Sequence, residues 1–85
     1  MESMDKLKEL LDDQYEWPAP YLFKFIVPAV ELDTLEKLIS KYVMTQKPSK
    51  NGKYISVTIS VTCQSSDEVI DFYQKVSVVP GIMSL

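Results

Sequence analysis

The sequence predicts a small α+β domain in which helices cover one face of a four-stranded antiparallel sheet, and three features carry this prediction. Residues 54–63 alternate without interruption between polar side chains and Ile, Val or Cys, as in a strand with one buried face and one face near water. The pair Asn51-Gly52 just before that strand favours a tight hairpin turn. Two other segments begin with a capping pattern and continue with apolar residues at helical spacing.

The first predicted element is a short amphipathic helix over residues 4–13, in which Met4 begins an apolar stripe. A helix of this length is not stable alone in water, so it must dock on the domain, bind a partner or fray. Pro18 then forces extended backbone. We therefore divide the chain into an N-terminal appendage, residues 1–16, and a folded domain, residues 17–85.

Residues 21–27 are dense in aromatic and β-branched side chains and predict the first strand. Alternation along this strand places its odd-numbered residues in the core. Leu22, Lys24 and Ile26 then share the opposite face, and Lys24 is the only charged residue of the strand.

The next segment predicts a helix followed by a strand. Asp33, with Glu36 three residues later, is a variant of the capping box, and apolar spacing extends the predicted helix over residues 34–43. Residues 44–49 predict a short strand, and Pro48 suits an edge position because proline cannot donate to a neighbouring strand.

The rest of the chain predicts a hairpin, a helix and a last strand. Residues 50–52 favour a type I′ turn, since Asn-Gly tolerates the positive φ angles that this turn requires. Ser65 and Glu68 form a second capping box before a helix over residues 66–76. An uncharged strand over residues 82–85 closes the fold.

This order of elements, βαββαβ after the first helix, predicts the ferredoxin-like arrangement with strand order 4-1-3-2. The first and third strands lie at the centre of the sheet, two helices cover one face, and the other face is open.

Composition excludes several kinds of site. The chain has 85 residues and a formal net charge of −3, with no His and no Arg. Without these residues it lacks the commonest general base and the residue best suited to phosphate. Cys63 is the one cysteine and falls on the inner side of its strand. We therefore expect no enzyme activity, no metal and no cofactor.

The chain also gives no sign of export or of membrane insertion. Its acidic first residues are not followed by an apolar leader region. No apolar run approaches the roughly 20 residues that span a bilayer. We expect a cytoplasmic protein with no membrane partner.

Three motifs resemble those of a known family. The first is Trp17-Pro18 before the strand that carries Lys24, the second is the stretch from Lys47-Pro48-Ser49 through Gly52-Lys53-Tyr54, and the third is the apolar strand ending at Leu85. Together they resemble the YbeD-like family of small bacterial proteins, domain of unknown function 493. The similarity runs from about residue 7 to the end of the chain.

The resemblance implies a ferredoxin-like fold related to ACT-type regulatory domains, and an association with lipoic acid metabolism. It carries over no catalytic residue. It favours a non-catalytic regulatory or protein-interaction module, with an ACT-like sensor of a small carboxylic or amino acid as the alternative. Pro28 lacks the backbone donor that an ACT-type domain would use after the first strand.

The open sheet face is the first candidate for function. Its predicted binding residues carry hydroxyl, aromatic and ammonium groups: Lys24, Tyr54, Ser56, Thr58 and Ser60. Such a face suits an unknown partner protein or a second copy of the chain, and an ordinary solvated face is the alternative. RNA-binding domains of this topology stack bases on central-strand aromatics. Because only Tyr54 is available for stacking and the chain is acidic, we regard nucleic acid as a minor alternative.

Two further features concern the edges of the sheet. Lys47, Lys50 and Lys53 gather at the hairpin, where they either steer a partner or protect an exposed strand from aggregation. Residues 78–85 carry no charge and need cover at an edge. Either the N-terminal helix and Trp17 provide that cover, or another chain pairs there, so we expect a homodimer through the edge or the open face as one outcome.

Overall fold

The computed structural model describes the backbone of residues 2–85 and the side chains from Asp5 onward. The side chain of Met4, predicted on the apolar stripe of the first helix, lies outside the described residues. The elements are α1 (Glu2–Gln14), β1 (Ala19–Pro28), a 3₁₀ turn (Ala29–Glu31), α2 (Leu32–Leu38), β2 (Met44–Pro48), β3 (Tyr54–Cys63), α3 (Ser66–Val76) and β4 (Met83–Ser84).

The four strands form one antiparallel sheet in the order β2-β3-β1-β4, which confirms the predicted strand order. The two central strands pair over all ten residues of each, from Ala19 opposite Cys63 to Pro28 opposite Tyr54. The edge strands are much shorter, since β2 spans five residues and β4 only two.

Alternation along the central strands separates a buried face from an open face. Phe23 lies opposite Ile59 on the buried face, and both side chains are fully enclosed. The helices complete this core with Leu11, Leu35, Val69, Phe72 and Val76, and Ile39, just after α2, joins them. The ring of Phe23 stacks on that of Phe72, with centroids 4.2 Å apart, and Tyr73 meets it edge-on at 5.1 Å. These are favourable arrangements for aromatic pairs.

Helix α2 is shorter than predicted and begins earlier. A 3₁₀ turn leads directly out of β1, so the helix starts at Leu32 and Asp33 is not its N-cap. The helix ends at Leu38 rather than at residue 43. Tyr42, taken as its last apolar position, lies in the following turn and packs edge-on against Phe72 with centroids 5.5 Å apart. Burial of its ring, rather than helical geometry, accounts for the apolar spacing.

Helix α3 has the predicted bounds, but its N-terminus is capped differently from the predicted box. Ser65 occupies the N-cap position without a side-chain hydrogen bond to the helix. Glu68 reaches back one residue further, and its Oε1 accepts a hydrogen bond from the backbone N–H of Gln64 at 2.8 Å.

The hairpin between β2 and β3 is not the predicted type I′ turn. That turn requires positive φ at both central residues, whereas only Gly52 has one, at +72°. The loop is closed by the Gly52 N–H, which donates to the carbonyl of Ser49 at 3.1 Å. The side chain of Asn51 accepts a hydrogen bond from the N–H of Lys53 at 3.1 Å instead of adopting positive φ.

Helix α1 lies against α3. Leu11 is buried in the common core, and the ammonium of Lys8 lies 2.8 Å from a carboxylate oxygen of Asp67. The indole N–H of Trp17 donates to Asp12 at 3.1 Å, and the Trp17 ring stacks on Tyr15. An ion pair in solvent contributes little to stability, so burial of Leu11 is the main contact.

Truncation of the adjacent residues Phe23 and Leu22 to alanine should lower the free energy of unfolding by very different amounts. Phe23→Ala removes a ring that is 0% exposed, and we expect the free energy of unfolding to fall by about 3–5 kcal/mol. Leu22→Ala changes a side chain that is 59% exposed on the other face, and we expect a loss below about 1 kcal/mol. Urea unfolding followed by circular dichroism measures both, and equal losses would contradict the assignment of faces.

Gly52 and Gly81 both have a positive φ, and their substitution with alanine gives a second pair of variants to compare. Gly52→Ala and Gly81→Ala both place a side chain at φ near +75°, at a cost of about 1–2 kcal/mol. A Cβ at Gly52 meets open space, whereas one at Gly81 would lie 2.7 Å from Cγ of Pro28. We therefore expect Gly81→Ala to lower the midpoint of thermal unfolding more than Gly52→Ala. A larger loss at Gly52 would refute the close packing of Gly81 on Pro28.

A candidate interaction surface on the open sheet face

The side of the sheet turned away from the helices presents side chains from all four strands. We call it the open face and define it by Pro20, Leu22, Lys24, Ile26, Pro28, Thr45, Lys47, Tyr54, Ser56, Thr58, Ser60, Thr62, Met83 and Leu85. The sheet register fixes this set, because successive residues of a strand point to opposite faces.

The open face has an apolar half along β1 and β4. Met83 lies opposite Ile26, and the N–H of Leu85 donates to the carbonyl of Lys24 at 2.9 Å, which continues the pairing beyond β4. Three of its apolar side chains are largely in solvent: Leu22 is 59% exposed, Met83 55% and Leu85 70%. Exposed leucines are ordinary when isolated, but a group on one rigid sheet is typical of a contact surface.

The other half of the open face, along β3 and β2, is rich in hydroxyl groups. Ser56, Thr58 and Ser60 follow one another at alternate positions of β3. Thr45 lies opposite Thr58 from the neighbouring strand. Hydroxyls both donate and accept hydrogen bonds, so this half can meet many polar partners without a matched charge.

The structure brings the predicted binding residues onto this one face. Lys24 lies directly opposite Thr58, at the boundary between the apolar and hydroxyl halves. Tyr54 is 46% exposed and occupies a corner of the sheet opposite Pro28. Whether these residues bind a partner stays a prediction.

The three hairpin lysines divide into two groups. Lys47 belongs to β2, lies opposite Ser56 and projects from the open face. Lys50 and Lys53 lie in the loop beyond the strands, and both are exposed. Only Lys47 is therefore part of the open face itself.

Sequence reasoning missed Met83 and Leu85. Their run of apolar residues predicts a strand, but nothing in it says which side chains face the helices. Only the register of β4 against β1, with Ile26 opposite Met83, places them beside Leu22 on the open face. An alternating pattern would have supplied the signal, and two residues are too few to show one.

A cleft of about 470 Å³ separates α2 from β2 on the helical side, and it too was not predicted. Its floor is apolar and its rim is mixed in charge: Asp33, Glu36, Lys37, Ile39, Ser40, Tyr42, Met44 and Gln46. A hydrogen bond of 2.9 Å from the amide of Gln46 to the carboxylate of Glu36 joins its two walls. The early end of α2 at Leu38 creates this gap.

Two side chains on the inner face, Cys63 and Tyr21, have raised pKa values and offer little chemistry. Burial raises the pKa of the Cys63 thiol, with a smaller contribution from Glu68, so its reactive thiolate is disfavoured. Burial also raises the pKa of Tyr21, whose hydroxyl lies 3.2 Å from that of Tyr73. Among the described residues, no group of three or more Cys, Asp and Glu side chains is placed to hold a metal ion.

Comparison with known proteins identifies the family. Residues 12–85 match the family model described as "Protein of unknown function (DUF493)". A "UPF0250 protein" of Shewanella amazonensis is 33% identical over 78 residues, which cover 82% of this chain and 89% of the relative. A "UPF0250 protein" of Shewanella oneidensis is 31% identical over 83 residues, covering 89% and 94%.

These relatives are small bacterial proteins whose names state no activity, ligand or partner. No solved structure matches the chain significantly. Within residues 2–85, no helix combines the length and the apolar character needed to cross a membrane.

The raised pKa values of Cys63 and Tyr21 predict a loss of stability in alkali. The folded state keeps both protons, whereas the unfolded state releases them above the ordinary values of 9.0 and 10.0. Their contribution is complete below pH 9 and is lost as the pH rises, because the unfolded state then binds fewer protons.

Urea unfolding at pH 8, 9, 10 and 11 measures this slope. We expect Tyr21→Phe, which keeps the ring, to flatten the decline between pH 10 and 11 relative to the unmodified protein. Tyr54→Phe serves as the control, since Tyr54 is exposed and its hydroxyl makes no hydrogen bond among the described residues. A slope unchanged by Tyr21→Phe would refute the role of its burial.

Proposed function

Because this chain belongs to the DUF493 family of proteins of unknown function, we propose its role from the geometry of the open face: it is a non-catalytic module that binds another protein. One observation carries this proposal. Leu22, Met83 and Leu85 stand exposed together on a sheet whose opposite side holds the hydrophobic core. Covering them would bury apolar surface at a gain of about 25 cal/mol per Å².

The composition of the open face supports a protein partner. Protein interfaces combine an apolar part with polar groups, and the open face offers the two side by side, as its apolar half and its hydroxyl half. Tyr54 and the hydroxyl row provide adaptable hydrogen-bonding groups beside the apolar half. We assign the βαββαβ part to the ferredoxin-like class on its element order and sheet order.

A regulatory role and a link to lipoic acid metabolism are the finer part of the proposal. Both follow from the resemblance to the YbeD-like family. A module with no catalytic group on its binding face would act by occupying or shaping a partner, as a regulator does. The proteins to examine first are therefore those that make or attach lipoate.

The cleft between α2 and β2 favours a second candidate, a small-molecule sensor. Its volume of about 470 Å³ lies in the range of ligand pockets. Lys37 on its rim would pair with a carboxylate, and Ile39 and Met44 would contact an aliphatic chain. A sensor of a carboxylic acid would use this cleft rather than the end of β1, where Pro28 has no N–H to donate.

Affinity capture from the cytoplasm of the native host tests the first proposal. We expect Lys24→Ala plus Tyr54→Ala to reduce the captured partner at least about tenfold, because both side chains lie on the open face. Leu10→Ala plus Lys41→Ala is the matched control, since it also removes one large and one charged exposed side chain, but from the helical side. Equal capture by both double variants would refute the open face as the binding surface.

Thermal melting with lipoate, octanoate and amino acids separates the two candidates. A ligand present at a hundredfold excess over its dissociation constant stabilises the folded state by about 2.7 kcal/mol. An upward shift of the melting temperature that is lost in Lys37→Ala would favour the sensor. No shift with any of these compounds would leave the interaction module as the better account.

A further inference from the structure

The charges of this protein are separated between its two layers. Within residues 2–85, none of the twelve acidic residues lies in a strand or in the hairpin; all belong to the helices and the segments that join them. The strands and the hairpin instead carry four lysines: Lys24, Lys47, Lys50 and Lys53. The charged side chains of the strands and the hairpin are therefore all cationic, in a protein whose net side-chain charge is −3.

The helical layer is correspondingly acidic. Its twelve acids outnumber its five lysines, so this layer carries a net negative charge, whereas the strands and the hairpin carry no acidic side chain. Like charges in one layer repel, and a separation of this kind produces a field that orients a charged partner before contact. The four sheet-layer lysines are all exposed, and none has a salt-bridge partner among the described residues.

Two of these lysines, Lys24 and Lys47, lie on the open face beside its apolar and hydroxyl side chains. Lys24 stands between the exposed leucines Leu22 and Leu85, and Lys47 projects from β2 on the other side of the hydroxyl row. A ligand that covers the apolar half must therefore also lie beside Lys24. It needs apolar groups and negative charge close together.

We propose that the partner of the open face is an acidic amphipathic segment of another protein. This inference rests on the proposed function and adds the chemical class of the partner. The apolar side chains of the segment would cover Leu22, Met83 and Leu85, and its carboxylates would lie near Lys24 and Lys47. Charge complementarity of this kind raises the rate of association and selects against basic partners.

The same observations disfavour the other anionic and apolar candidates. RNA would gain from the lysines, but the face offers one exposed aromatic, Tyr54, and no Arg. A second copy joined open face to open face would set lysines against lysines and bring no acidic side chain to them.

Photo-cross-linking identifies the class of the contacting segment directly. The full chain carries p-benzoylphenylalanine in place of exposed Ser60, which lies opposite Leu22, and is irradiated in a lysate of the native host. The same residue at exposed Gln74 on α3 reports the helical side. Mass spectrometry of the linked peptides gives the sequence, and therefore the charge, of the segment in contact.

We expect the Ser60 adducts to be peptides of another protein with net negative charge and apolar residues at strand or helical spacing. Lys24→Glu plus Lys47→Glu should reduce their yield at least about tenfold through like-charge repulsion. Lys6→Glu plus Lys41→Glu makes the same change of net charge on the helical layer and should leave the yield unchanged. Lys24→Arg plus Lys47→Arg should retain the adducts, which separates loss of charge from loss of fold.

Other cross-linking results would contradict the proposed partner class, the proposed function or both. Adducts with neutral or basic peptides would refute the acidic class and leave the open face as a protein-binding surface. Adducts with RNA, or with the acidic helices of this chain, would replace the proposed partner. If Ser60 gave no more adducts than Gln74, both the partner class and the proposed function would fall.

Discussion

The full-length pairing of β1 with β3 is the constraint on which the rest of the structure depends. Because ten consecutive residues pair in one register, the faces of both strands are set together: Phe23 meets Ile59 inside, and Lys24 meets Thr58 outside. A slip of one residue would exchange these faces and place lysine and threonine against the helices. The core and the candidate interaction surface are thus two results of one register.

Sequence patterns located the elements well where one local rule decided the outcome. The period of two along β3 predicted its span and its two faces, and the apolar spacing after Ser65 predicted the bounds of α3. The pattern failed where a distant contact decided instead. Tyr42 continues a helical spacing, yet it lies in the turn after α2 and packs on Phe72, which is 30 positions away in the sequence.

The candidate site shows the same division. Lys24 and the hydroxyl row could be placed on one face from alternation alone, since each belongs to a long strand. Met83 and Leu85 could not, because β4 is too short to alternate and joins the sheet only through β1. The cleft beside α2 was equally inaccessible to sequence reasoning, since it depends on where that helix stops. A net charge of −3 also gave no hint of a cationic sheet layer.

The pairing of the two central strands also affects how the chain folds, because the paired residues are far apart in the sequence. Partners in β1 and β3 lie 26 to 44 positions apart along the sequence, and no local turn brings them together. Since the closing of a long loop precedes the gain from such contacts, non-local pairing slows folding. During synthesis the aromatic residues of β1, Tyr21, Phe23 and Phe25, leave the ribosome well before β3 has been made. The most apolar strand of the protein therefore lacks its main pairing partner while the chain is incomplete.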